Sequence, residues 1–196
     1  MSRRRPDSFT KRAKAQDFLA RSVFKLEEID KREKLFQGVE TIVDLGAAPG
    51  SWTQYCVRRV PKAKIVAIDL NPLKFSHPNV QFVQGSITET DMAVYLDGKA
   101  ADLVLSDMAP KTTGIHDTDV ARSAELAEMA LETALKVLRP GGSFVAKLFM
   151  GESFEAYDVA LKKHFEIVKK LRPESTRKRS REIFFIAKSF RGPALS

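Results

Sequence analysis

The sequence is poor in cysteine and in long apolar runs. Cys56 is the only cysteine among 196 residues, which excludes an internal disulfide and is typical of a reducing compartment. No apolar run approaches the roughly 18 residues that span a bilayer, and the basic N-terminus lacks the apolar segment of a secretory signal. We therefore expect a cytoplasmic protein that makes no contact with membranes.

Metal ligands are also missing from the pattern. The three histidines, His77, His116 and His164, have no metal-ligand spacing, so no metal site is expected. With 43% hydrophobic and 30% charged residues, the chain is typical of a globular protein. Its length fits a single domain, which we assign to residues 21–191. Residues 1–20 form a basic N-terminal extension, of which 1–11 are expected to be loose.

Charge is distributed unevenly along the chain. Residues 1–34 carry 11 basic and 6 acidic side chains, residues 35–161 carry 11 and 16, and residues 162–191 carry 11 and 3. An acidic middle is thus flanked by two basic ends, which favours a polyanionic partner if the ends converge in space. Neither end has the pattern of a membrane-surface helix, so nucleic acid is the predicted partner.

Apolar runs rich in β-branched residues alternate with stretches of helical periodicity. Helices are predicted at 22–34, 51–60, 91–96, 118–138 and 152–164. Strands are predicted at 41–45, 64–69, 80–84, 103–106, 143–148, 165–170 and 183–187. The segment Pro140-Gly141-Gly142 is expected to close the long helix that precedes it. The pattern predicts an α/β, doubly wound fold, with a seven-stranded, mostly parallel sheet and an antiparallel edge hairpin.

The loop after the first strand lies where doubly wound sheets bind ligands. It matches neither Gly-x-Gly-x-x-Gly nor a Walker A loop, and Pro49 replaces one backbone donor that a pyrophosphate would need. Asp44, beside Gly46 and Gly50, favours a ligand that carries an amine or a cation. Asp69, at the end of the second strand, suits a ribose diol. An adenosine with a cationic tail and no phosphate, S-adenosylmethionine, fits both acids.

Five motifs carry a family resemblance. In chain order they are Arg21-Ser-Val-Phe-Lys-Leu-Glu-Glu-Ile29, Asp44-Leu-Gly-Ala-Ala-Pro-Gly-Ser-Trp52, Leu105-Ser-Asp-Met-Ala-Pro110, Pro140-Gly-Gly-Ser-Phe-Val-Ala-Lys147 and Ser180-Arg-Glu-Ile183. Together they resemble the FtsJ/RrmJ (RlmE) family of ribosomal RNA 2′-O-methyltransferases over nearly the whole chain. The resemblance implies the Rossmann-like methyltransferase fold and S-adenosylmethionine as cofactor.

The resemblance also implies a catalytic set of Lys25, Asp107, Lys147 and Glu182. Methylating a ribose hydroxyl requires that the hydroxyl be aligned and its proton removed or stabilised. We assign Lys147 as general base, and Lys25 as a second cation that favours the neutral amine of Lys147 and orients the hydroxyl. Asp107 and Glu182 are expected to hold the lysines and balance their charge.

Further cofactor contacts are implied at Gly50, Trp52, Asp69, Asp107 and Ser86. Relatives usually carry an acid at the position of Ser86, where a hydroxyl can still accept a hydrogen bond from an adenine amine. Trp52 also has an alternative interpretation as a core aromatic, since aromatic residues at helix starts often pack inward.

The basic ends supply the predicted RNA contacts, which are Arg21, Arg177, Lys178, Arg179 and Arg181. The resemblance implies that the substrate is a uridine in the A-loop of 23S rRNA, on the large (50S) ribosomal subunit. A chain this short leaves no room for a separate RNA-binding domain, so the catalytic domain must grip its substrate itself. We expect a monomer.

Other functions remain open at this point. A methyltransferase acting on a base, a protein or a small molecule is one, although the segment Ser106-Asp107-Met108-Ala109-Pro110 lacks the Asn/Asp-Pro-Pro-Tyr/Phe pattern typical of enzymes that methylate base amines. An RNA-binding protein with an inactive methyltransferase core is another. An NAD dehydrogenase is disfavoured by the glycine pattern and Pro49. Within the family, tRNA or a cap could replace ribosomal RNA as substrate.

Overall fold

Helices and strands alternate along most of the chain in the computed structural model, which describes residues 7–177 and 179–193. The helices are α1 (Ser8–Ala15), α2 (Val23–Glu33), α3 (Ser51–Arg59), α4 (His116–Val137) and α5 (Ser153–His164), with a 3-10 helix at Met92–Leu96. The strands are β1 (Thr41–Leu45), β2 (Lys64–Asp69), β3 (Val80–Gln84), β4 (Ala101–Ser106), β5 (Leu138–Phe149), β6 (Phe165–Leu171) and β7 (Glu182–Phe190). Within the described ranges, no helix is long and apolar enough to cross a membrane.

The seven strands form one sheet in the order β3-β2-β1-β4-β5-β7-β6. Strands β1 to β5 pair in parallel. The chain first winds from β1 outward to β3, then crosses back to β4 on the other side of β1. The carboxyl ends of β1 and β4 therefore flank the topological switch point, where open α/β sheets bind their ligands. The predicted doubly wound, seven-stranded sheet is confirmed.

The last two strands form the predicted hairpin at one edge. Strand β7 lies between β5 and β6 and is antiparallel to both, so the antiparallel strand is one position inside the edge. The centre of β7 is apolar, as an interior strand of a sheet requires, and its residues Phe184, Phe185 and Ile186 are fully buried. The first residue of β7, Glu182, is paired with Phe149 at the end of β5. The antiparallel direction thus brings the start of β7 to the rim at which the parallel strands end.

Alternate strand residues enter two core layers, one on each face of the sheet. On one face, residues such as Val43, Val104 and Phe185 pack with small and aromatic residues of α4 and α5. On the other face, Phe184 and Ile186 pack with residues of α2 and α3. The side chains of β7 therefore contribute to both layers, and α2 covers the face to which Phe184 points.

The expectation that residues 1–11 are loose is wrong for residues 8–11, which lie in α1. Asp7 caps this helix, its carboxylate accepting the amide of Thr10 at 2.8 Å. Phe9 packs against Phe24 of α2, with ring centroids 5.8 Å apart. The capping residue Asp7 can be read from the sequence. The contact between Phe9 and Phe24, which stabilises so short a helix, is a tertiary contact that local sequence does not show. Residues 1–6 lie outside the described residues.

The boundary between α4 and β5 also differs from its prediction. Residues 140–142 belong to the first part of β5 instead of following a helix end, and the strand begins at Leu138. Leu138 pairs with Ala101, but the register shifts before the next pair, Leu103 with Ser143. The glycines therefore allow the backbone to adopt an irregular conformation within the strand, where Gly141 has a φ of +80°.

We predict that Asp102→Asn destabilises the fold by about 1–3 kcal/mol at pH 7, the usual cost of losing hydrogen bonds to a charged group. The Asp102 carboxylate, at the start of β4, accepts the amides of Glu40 and Thr41, both at 2.8 Å, and the guanidinium of Arg139. Burial acts to raise the pKa of Asp102, but these partners bind the charged form and hold it below its usual value.

Because the folded pKa is lowered, this contribution is present above the pKa of the unfolded chain and is lost as the pH falls through the folded pKa. Urea unfolding of the wild type and of Asp102→Asn at a series of pH values measures it. A difference that did not shrink towards acid pH would contradict the assignment.

Candidate active site

Chemically active side chains gather at the carboxyl-end rim of the sheet. Asp44 lies in β1 next to its last residue, Asp69 ends β2, and Asp107 directly follows β4. Lys147 lies near the end of β5, and Glu182 opens β7. The topology alone brings these five residues to one edge, since four of the strands end there and the antiparallel strand begins there.

Lys147 is bound to Asp107 by two hydrogen bonds. Its ammonium donates to the main-chain oxygen of Asp107 at 2.8 Å and to its carboxylate at 2.9 Å. The Lys147 side chain is 5% exposed and that of Asp107 17% exposed. A lysine nitrogen has three substituent positions besides its carbon, so two bonds to Asp107 leave one direction for a substrate. The pair holds the Lys147 nitrogen in one place while leaving it able to make a further contact.

Lys25 is paired with Glu182 in a second contact. The Lys25 nitrogen lies 2.7 Å from the Glu182 carboxylate, with the two side chains 12% and 10% exposed. The same nitrogen lies 5.8 Å from the ring centre of Phe184. The predicted placement of Lys25, which came from the resemblance, is thus matched by a direct contact between α2 and β7.

Strand register puts the two pairs on the same face of the sheet. Lys147 is directly opposite Phe184, and Phe149 is opposite Glu182. Directly opposed residues of antiparallel strands project to one face, as do residues two apart in a strand. Lys147 and Glu182 therefore project to the face of Phe184, which is the face that α2 covers with Lys25.

Two glycines shape the loop between β1 and α3. Gly46 has a φ of +72° and a side chain there would overlap Met108, which follows Asp107. Gly50, just before α3, has a φ of +117°, and an added Cβ would lie 3.0 Å from Phe75. Both positions require glycine on backbone geometry and on space, so these residues allow the loop to pack closely against Met108 and Phe75.

Asp69 organises the same loop. Its carboxylate accepts the amide of Ala48 at 3.0 Å and the amide of Asn71 at 2.7 Å. The Asn71 side-chain amide donates to the same carboxylate at 3.1 Å. A carboxylate has about four acceptor sites, so Asp69 can still accept a hydrogen bond from one hydroxyl of a diol. Asp69 thus has a structural role in the loop in addition to the ligand contact predicted for it.

Asp44 is buried and accepts a hydrogen bond from the Thr53 hydroxyl at 2.7 Å. Burial raises the pKa of Asp44 to about 7, and the negative charges of Asp107 and Asp69 act in the same direction, while the Thr53 hydrogen bond opposes the shift. Asp44, Asp69 and Asp107 are therefore close enough to repel one another, and we refer to these three carboxylates below as the acid cluster. Its chemistry fits a cationic ligand, which would relieve the repulsion among them.

The two remaining predicted cofactor residues, Ser86 and Trp52, differ in what they offer. Ser86 follows β3, close to Asp69 through the pairing of Gln84 with Asp69, and its hydroxyl bonds the Thr88 hydroxyl at 2.7 Å. Trp52 is 2% exposed and donates its indole N–H to the main-chain oxygen of Ser22 at 3.0 Å. The Trp52 ring is therefore a core aromatic that joins α3 to the segment before α2.

The predicted RNA-binding residues fall into two groups. Arg177, Arg179 and Arg181 are exposed on the loop between β6 and β7. Arg177 and Arg179 line a groove of about 610 Å³ that also reaches the Lys25–Glu182 pair. Arg21 lines the groove as well, but its guanidinium is engaged by the Asp7 carboxylate and the main-chain oxygen of Ser175. The remaining residue of the set, Lys178, lies outside the described residues.

Two residues that the sequence analysis missed support the site, Thr53 and Phe184. Thr53 is fully buried in the first turn of α3 and holds Asp44. Phe184 stands beside Lys25 and packs on Trp52, with ring centroids 5.8 Å apart. A usable signal existed for Phe184, because it is two residues after Glu182 in a strand and must share its face. The partner of Asp44 depends on helix packing and had no such signal.

Comparison with known proteins agrees with this geometry. The model of the FtsJ-like methyltransferase family matches residues 18–190. Ribosomal RNA large subunit methyltransferase E of Desulfatibacillum aliphaticivorans is 47% identical over 190 residues, covering 95% of this chain and 91% of that protein. The protein of the same name from Bdellovibrio bacteriovorus is 42% identical, with coverages of 93% and 96%.

Solved structures give the same result at the level of the fold. A protein described as a ribosomal RNA methyltransferase from Plasmodium falciparum has a TM-score of 0.80 and 28% identity, covering 90% of this chain and 100% of that one. Human Methyltransferase-like protein 13, solved in complex with SAH, has a TM-score of 0.59 and 17% identity, with coverages of 89% and 82%. By the family model and the identity to its relatives, the chain belongs to the FtsJ-like methyltransferase family and uses S-adenosylmethionine as its cofactor.

Proposed function

We propose that this protein methylates the ribose 2′-oxygen of a uridine in the A-loop of 23S rRNA, acting as a cytoplasmic monomer on the large ribosomal subunit. The observation that carries the proposal is the arrangement of two lysine–carboxylate pairs on one face of the rim. The acid cluster lies at the same rim, and a groove lined by arginines reaches the Lys25–Glu182 pair. Relatives of 42–47% identity bear the name of a ribosomal RNA large subunit methyltransferase, which supports this substrate.

The residues of the acid cluster and of the loop between β1 and α3 fit the cofactor. Bound there, S-adenosylmethionine supplies a methyl group already activated by the positive charge on sulfur. Asp44 would attract the cationic part of the molecule, and Asp69 would accept a hydrogen bond from the ribose diol. Ser86, near Asp69, would receive the adenine amine. The electrophile needs no further activation, so the chain's own catalytic task concerns the ribose hydroxyl.

Lys147 is the proposed general base. A ribose hydroxyl is a very weak acid, so a positioned base must take its proton as the oxygen becomes the nucleophile. The two hydrogen bonds to Asp107 fix the Lys147 nitrogen and leave it one free direction in which to receive that proton. In its neutral form the nitrogen presents its lone pair there.

Lys25 is proposed to orient the ribose hydroxyl. Its pairing with Glu182, at 2.7 Å, holds this cation on the face that carries Lys147 and keeps the site from accumulating positive charge. The roles of Asp107 and Glu182 are thus to position and balance, and those of the lysines are to act on the hydroxyl.

Lys147→Ala is expected to lower kcat about 10²–10⁴-fold, the usual contribution of a positioned general base. The cofactor affinity should stay within about threefold of wild type, since Lys147 is not among the residues assigned to hold the cofactor. Single-turnover methyl transfer and isothermal titration calorimetry measure the two quantities. Near-wild-type turnover with unchanged cofactor binding would refute the assignment of the base.

Asp44→Asn is expected to weaken cofactor binding and to remove its pH dependence. In the wild type, a pKa of about 7 means that Asp44 is largely protonated below pH 7 and attracts a cation less strongly. Cofactor affinity of the wild type should therefore fall as the pH is lowered through 7. The Asn variant should bind the cofactor weakly, with an affinity that does not change over this pH range. Calorimetric titrations from pH 6 to pH 8.5 measure both profiles, and equal slopes would contradict the role of Asp44.

The same substitution should stabilise the cofactor-free protein. A folded pKa raised above the unfolded value of about 4 means that the unfolded chain loses its proton first, so the free energy of unfolding falls as the pH rises towards 7. Asp44→Asn removes this loss and keeps an acceptor for Thr53. Thermal unfolding at pH 8 without cofactor should therefore give a melting temperature at or above that of the wild type.

The substrate is tested by transfer of tritium from labelled S-adenosylmethionine to purified large subunits, free 23S rRNA and tRNA, followed by mapping of the labelled nucleotide. Label at the ribose of an A-loop uridine is the expected result. Label found only in tRNA would overturn the choice of substrate. Absence of label in all three, from protein that binds the cofactor, would favour an RNA-binding protein with an inactive core.

A further inference from the structure

The loop between β6 and β7, residues 172–181, is anchored to α2 at both ends, and we refer to it as the basic loop. It carries the exposed arginines that line the groove beside the Lys25–Glu182 pair. An exposed loop of this composition would repel itself if it were free in solvent. Its described contacts explain how it keeps a defined place next to the catalytic residues.

The first anchor holds the incoming half of the basic loop. The Glu28 carboxylate on α2 accepts the main-chain amide of Glu174 at 2.8 Å and an Arg32 nitrogen at 2.9 Å. Arg32 in turn lies 3.6 Å from the Glu174 carboxylate. The next residue, Ser175, is buried and offers its main-chain oxygen to the Arg21 guanidinium.

Arg21 is itself held on several sides. Its guanidinium also donates to the Asp7 carboxylate at the cap of α1, and its central carbon lies 5.3 Å from the ring centre of Phe9. The side chain is 16% exposed. These contacts occupy the guanidinium with partners inside the molecule, so Arg21 joins α1, the start of α2 and the basic loop.

The second anchor holds the outgoing end of the same loop. Glu182 directly follows it and binds Lys25 at 2.7 Å. Positions 21, 25, 28 and 32 are spaced four, three and four residues apart, which places them on one side of a helix. One face of α2 and of the turn before it therefore binds the loop on both sides of its arginines. One of these two anchors is the Lys25–Glu182 ion pair of the proposed catalytic set.

We propose that Glu28 and Arg21 are positioning residues that set the RNA-binding arginines of the basic loop in register with the Lys25–Glu182 pair. The inference rests on the proposed RNA substrate, and it reassigns Arg21, predicted from sequence to touch RNA, to a role exerted through Ser175. Glu28 is the more informative residue for a test, because a carboxylate beside an RNA surface repels phosphate. Charge alone and a positioning role therefore predict opposite effects of its removal on RNA binding.

The test compares Glu28→Ala with Glu27→Ala. Glu27 precedes it on α2 and is similarly exposed, 22% against 19%. Glu27 binds Lys31 and Arg12, and it makes no hydrogen bond or ion pair with the described residues of the basic loop. Removing either negative charge should tighten RNA binding slightly if charge alone matters. The proposal instead expects Glu28→Ala to weaken the binding of purified large subunits about tenfold and Glu27→Ala to leave it unchanged or tighter, with cofactor affinity unchanged in both.

Salt dependence separates positioning from phosphate contact. Arg179→Ala removes an exposed arginine of the groove. In this variant the plot of log association constant against log salt concentration should become less steep, its negative slope decreasing in magnitude by about one. Glu28→Ala should weaken binding and leave the slope as in wild type. Glu28→Gln keeps an acceptor for the Glu174 amide and should recover most of the affinity. Arg21→Ala and Glu28→Ala should combine less than additively, since both act through one loop.

Equal binding by the Glu28→Ala and Glu27→Ala variants would overturn the proposal. So would a parallel loss of thermal stability, cofactor affinity and subunit binding in Glu28→Ala, since that pattern marks general structural damage. Binding is measured without turnover, so a wild type that bound subunits and failed to methylate them would refute the proposed function and leave this comparison valid.

Discussion

The antiparallel pairing of β7 with β5 is the constraint on which the site depends. It opposes Lys147 to Phe184 and Phe149 to Glu182. A shift of the register by one residue would turn Glu182 and Phe184 to the other face of the sheet, away from α2. The same pairing also determines core packing, because it places Phe184 and Phe185 in the core layers on opposite faces of the sheet. Stability and catalysis therefore select the same register, so the site is held in place by the whole hydrophobic core.

The rim separates two kinds of electrostatic environment within a short distance. Towards β1 and β2, burial raises the pKa of Asp44 to about 7, and the negative charges of Asp107 and Asp69 add to the shift. Towards β7, each lysine is matched by one carboxylate at 2.7–2.9 Å. Beyond these pairs lie the exposed arginines. The acidic middle and basic ends of the sequence thus become adjacent regions of one surface, each suited to a different part of the reaction.

The sequence was sufficient for the strands, the loop glycines and the clustering of acids at strand ends, because these follow from periodicity and from the geometry of parallel sheets. It failed where tertiary contacts decide. Helix α1 depends on the contact between Phe9 and Phe24, and the irregular start of β5 depends on its pairing with Ala101. The partners of Arg21 come from residues 14 and 154 positions away, a separation that no local pattern reveals.

The double anchoring of the basic loop has a consequence for the entropy of recognition. Holding a backbone residue in one conformation costs about 1–2 kcal/mol, and a free loop would meet that cost when its ligand arrives. Here Glu174, Ser175 and Glu182 are already held by α2 and Arg21 before any RNA is present. The ordering is completed during folding, so in the proposed complex with RNA the loop would not lose this entropy on binding, and more of the interaction free energy would appear as affinity.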